Sequence, residues 1–161
     1  MADNYIRIKL SEQRLQLWEN GVVAREYPVS TAIKGPGEQS GSEKTPRGRH
    51  RIRAKIGAGC DSGTVFVARR PTGERYSPAL AAGNPQRDWI LTRILWLCGE
   101  EPGINRLGDV DSMRRFIYIH GCPGSEVMGK PGSHGCVRMR DEDVIELFDR
   151  VAPGLPVLIE E

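Results

Sequence analysis

The sequence predicts a single, mainly-β domain: a sandwich or barrel of short strands with one clear helix near the C-terminus. Three observations predict it. Several short segments alternate apolar and polar residues with a period of two, which is typical of strands that bury one face. Turn-forming residues separate these segments. Only residues 141–151 repeat apolar side chains at helical spacing. A chain of 161 residues is long enough to bury a sizeable core in one domain.

The first third of the chain reads as strands and turns. Residues 5–10, "YIRIKL", alternate as a strand, and residues 14–18 and 22–30 form a predicted hairpin. Asn20-Gly21 between them is the dipeptide that favours a type I′ turn. Residues 32–48 are rich in Gly, Pro, Ser and Lys, which predicts a long surface loop. Because loops of that length in compact domains are usually functional, we expect this one to have a role.

The remaining elements are shorter and are bounded by Gly, Pro or charged residues. Residues 89–97 could form a strand or a buried helix, and their β-branched and aromatic content favours a strand. Residues 110–115 are compatible with one short helical turn. Acidic residues fill the first turn of the 141–151 helix, as the helix dipole favours. The other predicted strands are residues 49–56, 64–70, 116–120 and 155–160.

Composition excludes several classes of function. The 23 basic and 21 acidic residues give a net charge of +2 and form no basic stripe, and 6% of the residues are aromatic, so no nucleic-acid partner is predicted. The longest apolar run, Ile94–Cys98, is too short for a signal peptide or a membrane span. We therefore expect a cytoplasmic protein without membrane insertion, or a periplasmic one if a leader is missing. The four cysteines are expected to be reduced in the cytosol.

One stretch, "IHGCPGSEVMGKPGSHGCVRM", writes His-Gly-Cys twice, at 120–122 and at 134–136. Two histidines and two cysteines are the ligand types of a tetrahedral zinc site. The spacing disfavours zinc, since each pair is His-x-Cys rather than the wider spacing of zinc knuckles. No metal and no other cofactor is predicted. The second interpretation is a cysteine nucleophile with a histidine base.

The two copies differ in their surroundings. Cys136 lies a few residues before the predicted helix, where a helix N-terminus stabilises a thiolate, whereas Pro123 and no helix follow Cys122. Gly135 would let the backbone approach the substrate and present N–H groups to an oxyanion. His134 would share a face with Cys136 in an extended segment, and His120 ends a predicted strand. The residues alone do not choose between these two bases.

The motif "SHGCVRM" (133–139), with "IHG" (119–121) upstream, resembles the signature of the L,D-transpeptidases, the YkuD-like cysteine enzymes of peptidoglycan metabolism. The N-terminal hairpin and "KTPRGRHRI" (44–52) are similar to further parts of that family, so the resemblance covers nearly the whole chain. It implies a YkuD-like β-sandwich of mixed sheets, with one C-terminal helix and room for one short helix. It also implies one catalytic domain over residues 1–161.

The resemblance implies catalytic roles position by position. Cys136 matches the nucleophile, and His120 matches the general base and acid. Gly121 stands where the family places a residue whose backbone carbonyl orients that histidine. His134 and Gly135, with the Cys136 amide, match the segment that forms the oxyanion hole.

Substrate-binding roles follow from the same resemblance. Arg138 matches a residue expected to hold a substrate carboxylate, although a surface charge at the helix entry is the simpler alternative. Tyr118, two residues before His120, is expected to line the site, or else to lie in the core. Ser133 belongs to the signature and is assigned to substrate binding with them. Cys122 is interpreted as a bystander.

The predicted partner is a peptidoglycan stem peptide, as a tetrapeptide or a disaccharide-tetrapeptide. The resemblance is closest in type to the family's cytosolic L,D-carboxypeptidases, which release the terminal D-alanine in peptidoglycan recycling. The alternative is an exported L,D-transpeptidase that forms 3–3 cross-links. A different class remains open: a β-sandwich module that binds peptide or glycan without catalysis. The sequence gives no oligomeric state.

Overall fold

The computed structural model describes residues 3–161, and those residues form ten strands and two helices. The mainly-β prediction with one clear C-terminal helix is confirmed. A short 3₁₀ turn at Gly108–Val110 overlaps the helical turn predicted at 110–115 only at its first residue. The elements are β1 (Tyr5–Lys9), β2 (Arg14–Glu19), β3 (Val22–Pro28), β4 (Gly48–Ile56), β5 (Thr64–Val67), β6 (Arg70–Arg75), α1 (Pro78–Ala82), β7 (Ile90–Gly99), β8 (Tyr118–Gly121), β9 (Val137–Met139), α2 (Asp141–Arg150) and β10 (Pro156–Glu160).

The strands form one mixed, hydrogen-bonded network in the order β3-β2-β1-β10-β4-β7-β5-β6, with β8 and β9 joined to β7. Two pairings are parallel, β1 with β10 and β8 with β9, and the others are antiparallel. Strand β10, the last along the chain, therefore lies between β1 and β4, two strands that come from the N-terminal half of the sequence. The predicted hairpin is present, and both Asn20 and Gly21 have the positive φ of a type I′ turn.

Strand β7 pairs with three other strands of the network. It pairs with β4 through Ile94–Gly99, with β5 through residues 90 and 91, and with β8 through Leu91–Trp96. The β7–β8 register shifts between Leu91 and Ile94, and Thr92 has a φ of 76° there. A β-branched residue at positive φ marks a local distortion of the strand, which lies opposite the end of β8.

The main hydrophobic core combines side chains from most of the strands with side chains from one face of α2. Val144, Leu147 and Phe148 form the apolar stripe of that helix and are buried, as the sequence predicts. Alternate residues of the strands, such as Ile6, Ile52 and Leu95, pack into the same core. Helix α2 thus covers β7 and β8 from the core side.

Three elements were not predicted from the sequence. Strand β6 is a polar, exposed edge strand that contains Pro71 and Gly73, so it carries no alternation of apolar residues. Helix α1 has only five residues and is capped by the Ser77 hydroxyl, which accepts from the Leu80 N–H at 3.0 Å. Strand β9 has only three residues, in a segment for which the sequence predicts only an approach to the helix.

Two predicted strands have different limits in the structure. The strand predicted at 64–70 ends at Val67, because Ala68 and Arg69 take positive φ and turn the chain into β6. The strand predicted at 116–120 begins at Tyr118, because Phe116 has a φ of 57°. Both corrections have the same cause: tertiary packing imposes turns where the side chains favour strands.

The 32–48 segment is irregular, as predicted, but it is not simply a surface loop. Ala32 and Thr45 are fully buried. Ala32 forms a parallel bridge with Ser133, and Ser30 forms an antiparallel bridge with Arg138. The loop therefore packs against the segment that carries the doubled tripeptide. None of the helices described in residues 3–161 has the length and apolar character needed to cross a membrane.

Candidate active site

The parallel pairing of β8 with β9 brings the two copies of the tripeptide together. Ile119 pairs with Val137, and His120 pairs with Arg138. Paired residues of neighbouring strands share a face, and successive residues alternate faces. Ile119 and Val137 point into the main core. The side chains of Tyr118 and His120, and of Cys136 and Arg138 beside them, therefore belong to the opposite face.

Cys136 is a partly buried thiol held by backbone groups. Its Sγ–H donates to the Phe116 carbonyl at 3.3 Å, and the Tyr118 N–H donates to Sγ at 3.4 Å. Burial raises the pKa of the Cys136 thiol to about 11, while the Tyr118 N–H and the charges of Arg138 and Arg115 act in the opposite direction. The prediction that a helix start stabilises the thiolate is wrong: β9 separates Cys136 from α2, and the resting thiol keeps its proton.

His120 is buried and oriented through its other ring nitrogen. Its Nδ1 lies 2.6 Å from the Gly121 carbonyl oxygen. Because a carbonyl can only accept, Nδ1 carries the proton and Nε2 is the basic nitrogen. Burial lowers the pKa of His120, opposed by that carbonyl bond and by the charge of Asp88. A neutral imidazole with a basic Nε2 on the face of Cys136 can act as a general base.

The structure leaves no room for a side chain at Gly121. A Cβ at this position would collide with Asp141 Oδ1 and with the Leu91 carbonyl oxygen. Asp141, the first residue of α2, is partly buried, and its Oδ1 has no hydrogen-bond partner in residues 3–161. Burial raises the pKa of this carboxyl, although hydrogen bonds to Thr92 and Ser62 lower it. This contact cannot be inferred from the sequence, which indicates for Asp141 only a favourable charge in the first turn of the helix.

Gly135 is held in a conformation that favours glycine. Its φ is 129°, and an added Cβ would lie 3.3 Å from the Lys44 carbonyl oxygen. The Thr45 hydroxyl donates to the Gly135 carbonyl at 2.9 Å and accepts from the Ala32 N–H at 3.0 Å. Thr45 was not predicted as a site residue, although it lies in "KTPRGRHRI". The long loop therefore fixes the backbone next to the nucleophile.

Ser133 also acts on this backbone segment. Its hydroxyl donates to the Cys136 carbonyl at 2.6 Å and accepts from the Gly135 N–H at 3.2 Å. Because its side chain is buried and engaged in these bonds, Ser133 holds the loop, and its substrate-binding role stays a prediction. The Gly135 N–H is engaged as well, so the Cys136 N–H is the better oxyanion donor.

The guanidinium of Arg115 ties the same loop to the site. It donates to the carbonyl oxygens of Lys44 at 2.6 Å and of Gly37 and Glu38 at 3.3 Å. The group is half-buried, and its charge favours the thiolate form of Cys136. The sequence predicts Arg115 only as part of a helical turn, and its isolated charge carries no signal of this role.

His134 lies apart from the thiol. Gly135 breaks the extended alternation that would have placed His134 beside Cys136, and the His134 side chain is 59% exposed. Its Nδ1 lies 4.0 Å from Asp88 Oδ2. His134 lines the mouth of a cavity of about 250 Å³, together with Asp88, Glu126 and Arg138. Of the two candidate bases, the geometry favours His120.

The guanidinium of Arg138 is already engaged by other groups of the protein. Its side chain is 9% exposed, and Nη2 donates to Asp88 Oδ1 at 3.1 Å. Nη1 donates to Glu126 Oε2 at 3.3 Å and to the Gly132 carbonyl at 2.8 Å. The role of Arg138 in holding a substrate carboxylate stays a prediction, and such a carboxylate would have to compete with these partners. Arg138 holds two carboxylates at the edge of the cavity.

Tyr118 lies on the other side of the thiol. Its hydroxyl accepts from Arg69 Nη1 at 2.9 Å, and burial raises its pKa against the effect of that cation. The Arg69 guanidinium lies over the rings of Trp96, at 4.7 Å, and Phe116, at 5.0 Å. Tyr118 is buried but borders the site, so both predicted alternatives for it hold in part.

The four side chains of the doubled tripeptide do not converge. Within residues 3–161 there is no group of three His, Cys, Asp or Glu side chains that could hold a metal ion. Cys122 is buried, and its Sγ–H donates to the Met139 carbonyl at 3.3 Å. Burial raises the pKa of this thiol to about 12. Cys122 is therefore a packed, protonated thiol rather than a ligand.

Comparisons with known proteins agree on one family. The family model described as the L,D-transpeptidase catalytic domain, YkuD, matches residues 3–159. YqjB of Bacillus subtilis (strain 168), described as a candidate L,D-transpeptidase, is 40% identical over 47 residues, which are 29% of this chain and 27% of that protein.

Solved structures show the same fold. A cysteine-to-serine variant of an Enterococcus faecium L,D-transpeptidase has a TM-score of 0.61 and 19% identity, covering 99% of this chain and 50% of that one. An L,D-transpeptidase from Mycobacterium smegmatis has a TM-score of 0.59 and 18% identity, covering 99% and 59%. The catalytic domain of the E. faecium enzyme has a TM-score of 0.56 and 20% identity, covering 99% and 98%. The chain thus spans about half the length of the longer relatives and nearly all of the isolated catalytic domain.

Proposed function

The chain belongs to the YkuD family of L,D-transpeptidase catalytic domains, and from that premise we propose that it catalyses cysteine-dependent acyl transfer at the L,D-peptide bond of peptidoglycan stem tetrapeptides. The observation that carries the proposal is the shared face of β8 and β9. There a thiol and a neutral imidazole, whose Nε2 is the basic nitrogen, lie on neighbouring strands. A base on the same face as the thiol is what activation of a cysteine nucleophile requires.

The proposed reaction begins with proton transfer from the Cys136 thiol to His120 Nε2. The sulfur attacks the carbonyl carbon of the diamino acid at the third position, and the new oxyanion accepts a hydrogen bond from the Cys136 N–H. Collapse of this intermediate breaks the C–N bond, and the leaving D-alanine nitrogen takes the proton from His120. A thioester on Cys136 remains. An acceptor then attacks the thioester carbonyl while His120 Nε2 takes a proton from the acceptor. The C–S bond breaks, and His120 gives that proton to the sulfur of Cys136.

We assign water as the acceptor, which makes the enzyme an L,D-carboxypeptidase. The cavity beside the site supports this assignment, because the charged side chains of Asp88, Glu126 and Arg138 line it and such groups hydrogen-bond water well. A hydrolytic reaction fits peptidoglycan recycling in the cytosol. Fractionation of cells that produce the natural protein tests that location.

A second candidate is L,D-transpeptidation. The carboxylates of Asp88 and Glu126 are roughly half exposed at the cavity edge and could fix the ammonium group of an amine acceptor. A 3–3 cross-linked dimer would then form in place of the tripeptide. The two reactions use the same thioester and differ only in the acceptor.

The deciding experiment is incubation with a disaccharide-tetrapeptide, followed by mass spectrometry of the products. Tripeptide and D-alanine support hydrolysis, and a 3–3 dimer supports transpeptidation. Cys136→Ala is expected to abolish both, whereas Cys122→Ala, the matching change in the other tripeptide, is expected to keep the activity. Unchanged products with Cys136→Ala would contradict an enzymatic role and favour a binding module.

A further inference from the structure

Arginines gather on one face of β4, although the chain as a whole is nearly neutral. Arg49, Arg51 and Arg53 are exposed, whereas His50 and Ile52 between them are buried. The β4–β7 register shifts between Ile52 and Ala54, so Arg53 is the extra residue of a β-bulge. Bulges re-aim a side chain and strengthen the local twist. The outer face of a strand that is central in the network therefore carries a row of cations.

Two more arginines complete a groove beside this row. Arg51 and Arg53 on one side, and Arg106 and Arg114 on the other, line a cavity of about 180 Å³ whose floor includes Gly99. We call this cavity the arginine groove. The segment after β7 packs closely over the floor, since a Cβ at Gly99 would collide with the Asn105 backbone.

The positive charge of the arginine groove is poorly compensated. In the described part of the chain, Arg106 and Arg114 form no ion pair, and Arg51 reaches Glu100 only at 3.9 Å. One carboxylate, Asp111, lines the groove. Its oxygens accept from the backbone N–H groups of Leu107, at 2.7 Å, and Arg114, at 3.0 Å. Asp111 is thus committed to the backbone, and the guanidinium groups remain available to an anion.

The wall that carries Arg106 and Arg114 is rigid. Asp111 bonds to both ends of the 107–114 segment, and Leu107 is held at a φ of 71°. Buried Asn105 anchors the segment by donating to the carbonyls of Arg47, at 2.9 Å, and Arg49, at 3.1 Å. A preorganised wall lowers the entropic cost of ordering side chains on a ligand.

The arginine groove and the nucleophile border one continuous surface. The Arg53 guanidinium lies 5.3 Å from the centre of the Trp96 ring, and the Trp96 indole N–H donates to the Met113 carbonyl in the groove wall at 3.2 Å. Trp96 also contacts Phe116 and Tyr118, with ring centres 6.3 and 6.2 Å away. The Phe116 carbonyl in turn accepts from the Cys136 thiol. A substrate acylating Cys136 can therefore extend across Trp96 to the groove.

We propose that the arginine groove binds a diphosphate group, carried by the substrate at the end remote from the scissile peptide bond. The guanidinium fork matches phosphate oxygens in pairs, so a diphosphate can engage several of the four arginines at once. A single carboxylate can engage only one guanidinium in this way. The substrate class is therefore a stem peptide attached to a sugar diphosphate. Only the attachment of the diphosphate to a stem peptide rests on the proposed function. The binding of diphosphate to the arginine groove does not depend on it.

The first test measures binding without turnover. Inorganic pyrophosphate is titrated into the intact protein by calorimetry at low salt, with citrate as a polycarboxylate of similar charge. We expect pyrophosphate to bind at least about tenfold more tightly than citrate, and the Arg106→Gln/Arg114→Gln double variant to lose at least about tenfold in affinity. Arg114→Lys, which keeps the charge but not the fork, should lose part of it.

Arg25→Gln is the matched control, since Arg25 is an exposed arginine on β3, four strands away from β4 in the network. Its affinity for pyrophosphate should equal that of the unchanged protein. Absence of pyrophosphate binding, equal binding of citrate, or an equal loss in Arg25→Gln would each overturn the inference. Thermal unfolding of each variant separates loss of binding from loss of fold.

The second test compares substrates. The value of kcat/KM for D-alanine release is measured for a tetrapeptide linked to a sugar diphosphate and for the same tetrapeptide alone. We expect about a tenfold preference for the linked substrate, removed in the double variant. Equal values would contradict the substrate class. Release from neither substrate would count against the proposed function, while the pyrophosphate titration would still decide the binding site.

Discussion

Cys136 and His120 rest as a neutral pair. Burial raises the pKa of the thiol and lowers the pKa of the imidazole, so near neutral pH the proton is on sulfur and Nε2 is basic. Such a pair forms its thiolate during the attack and not before it. This differs from cysteine sites in which a helix N-terminus or an imidazolium stabilises a resting thiolate.

The neutral pair makes a prediction for alkylation of Cys136. Iodoacetamide reacts with thiolates, so its rate should still rise about tenfold per pH unit between pH 7 and pH 9, because the thiol pKa is about 11. Peptide-mapped mass spectrometry measures the rate. A cysteine in an unstructured peptide, with a pKa of about 8.5, serves as the control, and its rate should rise only about threefold between pH 8 and pH 9. A rate for Cys136 that is flat from pH 6 to pH 8 would show a resting ion pair instead.

Thr45 makes a second prediction at this scale. Thr45→Val removes the hydroxyl that holds the Gly135 carbonyl and leaves the Ala32 N–H without an acceptor. We expect a loss of about 1–3 kcal/mol in the free energy of unfolding, together with a lower kcat, because the backbone beside Cys136 is no longer fixed. Urea denaturation and D-alanine release measure the two effects. Thr45→Ser keeps the hydroxyl and should keep most of both; equal losses in the two variants would contradict the role of the hydroxyl.

At the scale of elements, the site depends on strands that meet the start of a helix. The end of β8 lies against the distorted part of β7, and the first residue of α2 fills the space above Gly121. The carbonyl of Gly121 in turn orients His120. The position of the base is therefore set jointly by β7, β8 and α2, and the unpartnered Asp141 oxygen lies at their junction.

This junction predicts the effect of a side chain at position 121. Gly121→Ala would drive a methyl group into Asp141 Oδ1 and the Leu91 carbonyl, so β8 and α2 would have to separate. We expect a loss of about 1–3 kcal/mol in stability from overpacking, with lower activity. Gly124→Ala is the control, because a Cβ there meets nothing within 4 Å. Circular dichroism melting curves compare the two, and tolerance of Gly121→Ala would show that the junction yields easily.

At the scale of the whole molecule, the last strand completes the sheet. Strand β10 pairs with β1 in parallel and with β4 in antiparallel, so it joins the N-terminal strands β1–β3 to the strand that carries the arginine row. Val157 and Ile159 are buried in the main core. The fold is therefore closed by residues from opposite ends of the chain.

Removal of the last strand tests this closure. A chain without residues 156–161 loses both ladders and two buried side chains, and we expect it to be unfolded or partly unfolded at 25 °C. The cost of the two side chains alone is about 3–6 kcal/mol, comparable to the stability of a typical domain. Removal of Glu161 alone, which lies outside β10, should leave the melting temperature nearly unchanged. A cooperative transition in the shorter chain near that of the full one would contradict the central role of β10.

The sequence by itself determined the mainly-β class, most strand positions, helix α2 and Cys136 as the candidate nucleophile, while the choice of His120 over His134 as its base came from the resemblance of the motif to the L,D-transpeptidase signature. Those features depend on local periodicity, turn chemistry and a short motif, all of which are written in consecutive residues. Tertiary structure alone decided the rest. The positions of Thr45, Arg115 and Asp141, and the ion pairs that occupy Arg138, depend on residues distant along the chain. The raised pKa of Cys136 likewise follows from burial, which arises only when β8 and β9 pack together.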